Sequence, residues 1–263
     1  MSTAAEPTQT SACLDTVSKI SIQGVSKTFA TASGQLVQAL SNIDLEIGEN
    51  EFVCVVGRSG CGKSTLLNMV AGFLQPSSGR ILIDGVGIQG PGGGKGVVFQ
   101  SLALFPWLTA RKNIEFGCKQ QGIPADRRRE ISKELIDLVH LQGFEDKYPF
   151  ELSGGMQQRV AIARALAIDP TILLMDEPFG ALDEQTRMGM QTELLRIWSS
   201  RKKTVIFITH SVSESIALGD RVVVMGANPG HVKRTFRVEL ERPRDRLSGD
   251  FVKLEREIQD ALD

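Results

Sequence analysis

Gly57-Arg58-Ser59-Gly60-Cys61-Gly62-Lys63-Ser64-Thr65 follows the unbroken apolar run Phe52-Val53-Cys54-Val55-Val56 and leads into a stretch that stops at Gly72. The apolar run has strand length and no polar face, so it reads as a strand covered on both sides. The residues from Lys63 to Gly72 read as a helix ended by glycine. Between the two, glycines let successive backbone N–H groups turn toward one point that side chains would otherwise block. The positive end of the following helix faces the same point. This strand, G-x-x-x-x-G-K-[ST] loop and helix form a polyphosphate-binding element. In it Lys63 would bridge the β- and γ-phosphates, and Ser64 would offer its hydroxyl to Mg²⁺. A nucleoside triphosphate and Mg²⁺ are therefore the expected ligands. Kinases, GTPases and motor ATPases share such loops, so nucleotide binding is established before the task is.

A second strand, Ile172-Leu173-Leu174-Met175, places Asp176 at its carboxyl end, where ligands sit in open parallel sheets. An acid there can hold Mg²⁺, and Glu177 beside it is placed to act as general base on a water. Strand and helix then alternate: Glu184 to Ser200 helical, Val205 to Ile208 extended, Ser211 to Leu218 helical, Val222 to Met225 extended. That order implies βαβ units and a largely parallel sheet. Upstream, Ile20 and Ile22, then Ile43, Leu45 and Ile47, alternate with polar residues as half-buried antiparallel strands do. Ile81 to Ile83 and Val97 to Phe99 are further short strands. Asp126 to Leu141 carries an amphipathic helical stripe, and Met156 to Ile168 is a second helix closed by Pro170. A helical subdomain at about 102–168 thus interrupts the α/β core. Residues 1–18, rich in Ser, Thr, Ala and Gln, read as a disordered leader; 19–235 form the main domain and 236–263 its C-terminal extension, with a closing helix from Asp250 to Leu262.

Composition narrows the class. The chain has 263 residues, 41% of them hydrophobic and 23% charged, with 30 Lys plus Arg against 31 Asp plus Glu. A net charge of -1 argues against a nucleic-acid binder. No apolar run approaches the roughly 20 residues of a membrane span, and no secretory signal opens the sequence. The four cysteines form no CxxC pair, so a reduced, cytosolic setting is expected. Cys61, beside Lys63 and a helix start, is expected either to carry thiolate character and be blocked by alkylation, or to be inert filling.

Leu152-Ser153-Gly154-Gly155-Met156, followed by Gln157-Gln158-Arg159, opens a helix with Ser and two glycines, a second anion-binding helix start in the same chain. With that motif lying between the phosphate loop and the Asp176-Glu177 strand, the sequence resembles the ATP-binding subunits of ABC transporters over nearly all residues after Lys19. The resemblance implies a P-loop NTPase fold with an antiparallel N-terminal β subdomain. It also implies two copies packed head to tail, so that Leu152 to Met156 close in trans on a phosphate held by the partner copy. Gln100 would be the Q-loop glutamine near Mg²⁺, Ala181-Leu182-Asp183 the D-loop, His210 the switch histidine at the γ-phosphate, and Phe29 the aromatic that stacks on adenine. The family often has Gln where Met156 stands, so a polar contact from that side chain is not expected.

Leu104-Phe105-Pro106-Trp107 with Asn113, and Asn228-Pro229-Gly230, resemble the nitrate, sulfonate and taurine importers. Pro106 and Trp107 would then receive an integral membrane permease subunit, with Trp107 as core filling the plainer alternative. The resemblance places the protein peripherally on the cytoplasmic face of the cell membrane, served indirectly by a solute-binding protein and independent of nucleic acid. The stretch after His210 is too short for an added regulatory β-domain. Two competing readings are a non-transport ABC ATPase of repair or translation type and a small-molecule P-loop kinase. Against the first, no heptad pattern lies between Thr65 and Leu152.

Overall fold

The strand that feeds the phosphate loop is buried along its whole length because it sits in the middle of a sheet. In the computed structural model, which describes residues 18–32, 34–180 and 182–263, β3 (Phe52–Gly57) runs between β8 (Thr204–Thr209) and β9 (Arg221–Gly226), parallel to both. β7 (Ile172–Asp176) and β6 (Lys95–Val98) extend the parallel sheet on one side, and β10 (His231–Arg237) closes the other edge antiparallel to β9. Parallel neighbours need crossovers: α5 (Glu184–Ser200) joins β7 to β8, while α6 (Val212–Leu218) carries the chain from β8 over to β9 on the far side of β3, and α1 (Lys63–Ala71) follows the phosphate loop. The expected leader lies almost wholly outside the described residues; its last residue, Ser18, already belongs to a strand.

Alternate residues of β3 serve two cores, as the period of two in a strand requires. Phe52, Cys54 and Val56 face a large cluster that includes Ile162, Leu194 and Phe207. Val53 and Val55 face a second cluster shared with α1 and a four-stranded antiparallel sheet. That sheet has the order β2 (Leu36–Gly48), β1 (Ser18–Ala30), β4 (Ser78–Ile83), β5 (Val86–Gly87). The α/β fold with an antiparallel N-terminal subdomain is the one the sequence implied.

The inserted helical region contains α2 (Ala110–Gln120), α3 (Ala125–Leu138) and α4 (Gly154–Ala167). The pattern predicted only the last two, with α3 running to Leu141. α2 escapes notice because its buried apolar stripe is narrow, only Ala110, Ile114 and Cys118. α3 stops early because His140 takes a left-handed backbone, φ 52°. At the C-terminus, β10 runs through Arg237, across the boundary expected at 235, and Phe236 and Val238 join the main core. The closing helix α7 (Gly249–Leu262) adds Phe251 and Ile258 to the same core, so the extension is folded into the domain.

Candidate nucleotide site

The phosphate loop is wedged from behind. Gly57 ends β3, and a Cβ there would lie 2.5 Å from Cys61 Sγ and 2.9 Å from Met225 O. Gly62 has φ +92°, and its Cβ would meet Leu40 Cδ2 at 2.5 Å, so both left-handed backbone and close packing demand glycine. Gly230, in the turn from β9 to β10, packs so tightly that its Cβ would fall 2.2 Å from Cys61 O. The Asn228-Pro229-Gly230 segment, which resembles the importer family, thus lies under the loop. Lys63 is nearly buried, and its Nζ donates to Gly57 O at 2.8 Å and Arg58 O at 3.2 Å across the loop. Cys61 is fully buried in the core beneath the loop, with its Sγ 3.9 Å from Lys63 Nζ. Of the two expectations for Cys61, a reactive thiolate or inert filling, this burial favours the filling.

Two carboxylates stand at the carboxyl ends of the strands beside this loop. Ser64 Oγ donates to Asp176 Oδ1 at 3.1 Å, so the hydroxyl and carboxylate suited to Mg²⁺ are adjacent although 112 positions apart. Burial pushes the Asp176 carboxyl up; the Ser64 hydrogen bond opposes this, the Glu177 charge adds to it, and Lys63 opposes it. Glu177 takes φ 43°, and its N–H donates to Ile208 O at 3.0 Å, which turns the side chain off the strand axis. Its Oε2 lies 3.3 Å from His210 Nδ1, across the ends of β7 and β8. Gln100 is exposed just beyond β6, whose Val98 pairs with Met175, and so stands at the same edge of the sheet.

The remaining candidates are distributed over the surface. Ser153 caps α4, accepting from Met156 N at 3.4 Å, and Ser153 and Gly154 are exposed. Among the described residues no hydrogen bond joins Leu152 to Met156 with the 57–65 loop. Leu152 is turned inward, 6% exposed, and Met156 is half-buried against the main core. Asp183 is committed to capping α5, accepting from Thr186 N at 3.0 Å, which holds its carboxyl below the ordinary value; Ala181 of the same loop lies outside the described residues. Phe29 is 39% exposed with Lys27 Nζ 5.3 Å from its ring centre, an aromatic face open to stacking. Trp107 is 70% exposed and Pro106 is exposed, which removes the reading of Trp107 as core filling.

The loop that carries them was not anticipated in detail. Leu102 and Ala103 both have left-handed backbones, φ 59° and 45°, strained for residues with side chains. Arg164, near the end of α4, grips both: Nη2 donates to Leu102 O at 2.7 Å and Nη1 to Ala103 O at 2.6 Å. Its guanidinium also lies 5.5 Å from the Phe105 ring, which packs on Trp107. Asn113 fixes the next turn, exchanging hydrogen bonds with the Phe105 backbone at 2.9 and 3.1 Å.

Comparison with known proteins agrees with this geometry. The family model described as ABC transporter matches residues 40–180. The chain belongs to the ABC transporter family. Among relatives of this ABC ATPase, a taurine import ATP-binding protein of Roseobacter denitrificans is 48% identical over 83% of this chain and 82% of its own length. A nitrate import ATP-binding protein of a Synechocystis strain is 45% identical over 92% of this chain and 94% of its own length. Among solved structures, the ATP-binding cassette MJ0796, a dimer in a post-hydrolysis state with ADP and Pi bound, superposes with a TM-score of 0.75. It is 33% identical and matched over 84% of this chain and 99% of its own. The chain is accordingly an ATP-hydrolysing subunit of this family. Among the described residues no helix is long and apolar enough to cross a membrane.

Proposed function

We propose that this ABC ATPase powers import of a small anionic solute of the nitrate, sulfonate or taurine type through separate integral membrane permease subunits, with a solute-binding protein upstream. The solute class is supported by the names of the similar import proteins, and the permease contact by the exposed Pro106-Trp107 segment. The protein would then act peripherally at the cytoplasmic face of the cell membrane.

The observation that carries the mechanism is the helix start at Ser153: exposed, capped, and free of any hydrogen bond to its own phosphate loop among the described residues. A free helix N-terminus suits an anion. Its anion is the terminal phosphate of ATP bound to a second copy, so two head-to-tail copies each complete the other's pocket through Ser153, Gly154 and Gly155. Within one copy, the backbone of Gly57 to Thr65 cradles the phosphates and Lys63 leaves the loop carbonyls to pair with them. Ser64 and Asp176 are placed to hold Mg²⁺, with Gln100 at the same edge; Mg²⁺ supplies charge neutralisation on the phosphate oxygens. Glu177 takes a proton from the attacking water, and His210 steadies Glu177 while facing the terminal phosphate. Phe29 stacks on adenine.

Glu177→Gln is the decisive variant. It should bind ATP, stop turnover and accumulate a dimer of the full-length chain by light scattering. A chain that stays monomeric with ATP, alone and with its membrane subunits, overturns the sandwich. A phosphorylated small-molecule product would instead establish the kinase reading. Co-purification from native membranes, followed by uptake assays with nitrate, taurine and alkanesulfonates, tests the transport branch.

A further inference from the structure

His210 is followed at once by Ser211, the cap of α6, and the segment between β10 and α7 fastens that short helix. Arg242 donates to Leu218 O and, at 2.7 Å, to Asp220 Oδ1. Arg244 donates to Ile216 O and, at 2.6 Å, to Gly219 O. Both guanidiniums therefore hold the far end of α6. A cleft of about 750 Å³ opens between this strap and α5, but these two cations in its wall are already committed to the protein's own oxygens. The cleft marks where the strap lies against α5.

The near end of α6 is held differently. Arg246 donates to Gln191 Oε1, and Gln191 Nε2 donates to Glu214 Oε1 at 2.8 Å. Glu214 Oε2 accepts from the Thr209 hydroxyl, and Thr209 Oγ1 accepts from Ser211 N at 3.0 Å. Gln191, Glu214 and Thr209 are all buried. An amide in such a chain has one satisfied orientation: its oxygen must face Arg246 for its N–H₂ to face Glu214. The chain ends on the two residues that bracket His210.

We propose that Arg246, Gln191 and Glu214 are positioning residues for ATP hydrolysis, which hold the Thr209–His210–Ser211 corner in register with Glu177 and make the 242–246 strap part of the catalytic apparatus. The inference rests on the role given to His210 above. None of the three touches nucleotide; they act through His210 alone. With Arg246 removed, the Gln191 oxygen is left without its donor, the amide is free to turn over, and a turned amide sets oxygen against the Glu214 carboxylate. The corner then loses its register, and a small displacement at a reacting centre is costly in rate.

The test is steady-state ATP hydrolysis by the full-length chain. Arg246→Ala should lower kcat about tenfold with KM for ATP unchanged, because the phosphate loop is untouched. Arg246→Lys, which keeps one donor, should recover most of the loss. In a His210→Ala background, Arg246→Ala should have no further effect on residual turnover, a result that general destabilisation would not give. Should Arg246→Ala not fold, Gln191→Met breaks the chain from α5 and is read the same way. If His210→Ala lowers kcat but neither relay variant does, or if Arg246→Ala costs the same factor in both backgrounds, the relay is overturned. If His210→Ala itself leaves kcat unchanged, the role of His210 falls, and the relay with it.

Discussion

Glu177 Oε2 and His210 Nδ1 lie 3.3 Å apart although 33 positions separate them, because β7 and β8 are parallel neighbours that end at the same level. The carboxylate is the more sheltered of the two, and the imidazole lies open toward the solvent side. A base held by a partner on one side has its other oxygen directed by that contact. His210→Ala is expected to reduce kcat by about a hundredfold while ATP still binds, since the phosphate loop keeps its contacts. Equilibrium binding of a fluorescent ATP analogue beside turnover measurements separates the two effects.

Acid should weaken Mg²⁺ binding earlier than for an ordinary aspartate. Burial, the largest influence, raises the Asp176 carboxyl above its usual 3.8. Before metal binds, the ionised form is the disfavoured one, so the fold gains stability as pH falls through the raised value and loses it as pH rises through that value. The metal needs the ionised form, so its affinity falls over that same descent. Mg²⁺ titrations of nucleotide binding across acidic pH should show the loss beginning above pH 3.8, and Asp176→Asn should abolish the Mg²⁺ dependence.

Gly230→Ala should damage the nucleotide site from outside it. The added methyl would fall 2.2 Å from Cys61 O and 2.9 Å from Ala39 O, both backbone atoms that cannot swing aside. A cost of about 1–3 kcal/mol is expected for such overpacking. Lower thermal stability, together with weaker ATP binding, is the outcome to look for; Gly87→Ala, with open space around its Cβ and no left-handed backbone, is the control for loss of a glycine without a clash.

Trp107→Ala should detach the ATPase from its membrane partners. The indole is exposed, so its removal from the isolated subunit should change stability by less than about 0.5 kcal/mol. Affinity purification of the tagged variant from membranes should recover little or no permease. Retention of the permease at the level of the unaltered protein would remove Trp107 from the contact.

The parallel core was legible because each of its strands is a short apolar run bounded by a glycine or a charge, and because a buried strand feeding a glycine loop has few other uses. Ser64, Asp176, Glu177 and His210 were placed correctly relative to strands, and the sheet register then brings them together. What stayed hidden depends on contacts distant in sequence. α2 buries too few apolar residues for its period to show, and Asn113 inside it looks polar until its amide is seen clamping Phe105 and Leu108. The burial of Cys61 depends on the bare backbone of Gly57 beside its sulfur, where a Cβ would fall 2.5 Å from Sγ, a contact that the sequence pattern does not announce. Glu214, Gln191 and Arg246 read as ordinary helix and tail polars, because only the fold buries them in one line.

α4 begins at the exposed Ser153 and carries Arg164 three residues before its end at Ala167. At 1.5 Å per residue the distance from one to the other is about 17 Å along a nearly inextensible rod. In the proposed head-to-tail pair one tip would offer amide hydrogens to a neighbouring molecule's nucleotide; near the other, a guanidinium grips the strained turn on which the indole of Trp107 is mounted. In that pair, a push on the indole would be delivered to the far copy's triphosphate by a strut lying outside the parallel sheet, leaving the protein's own fuel-holding floor undisturbed.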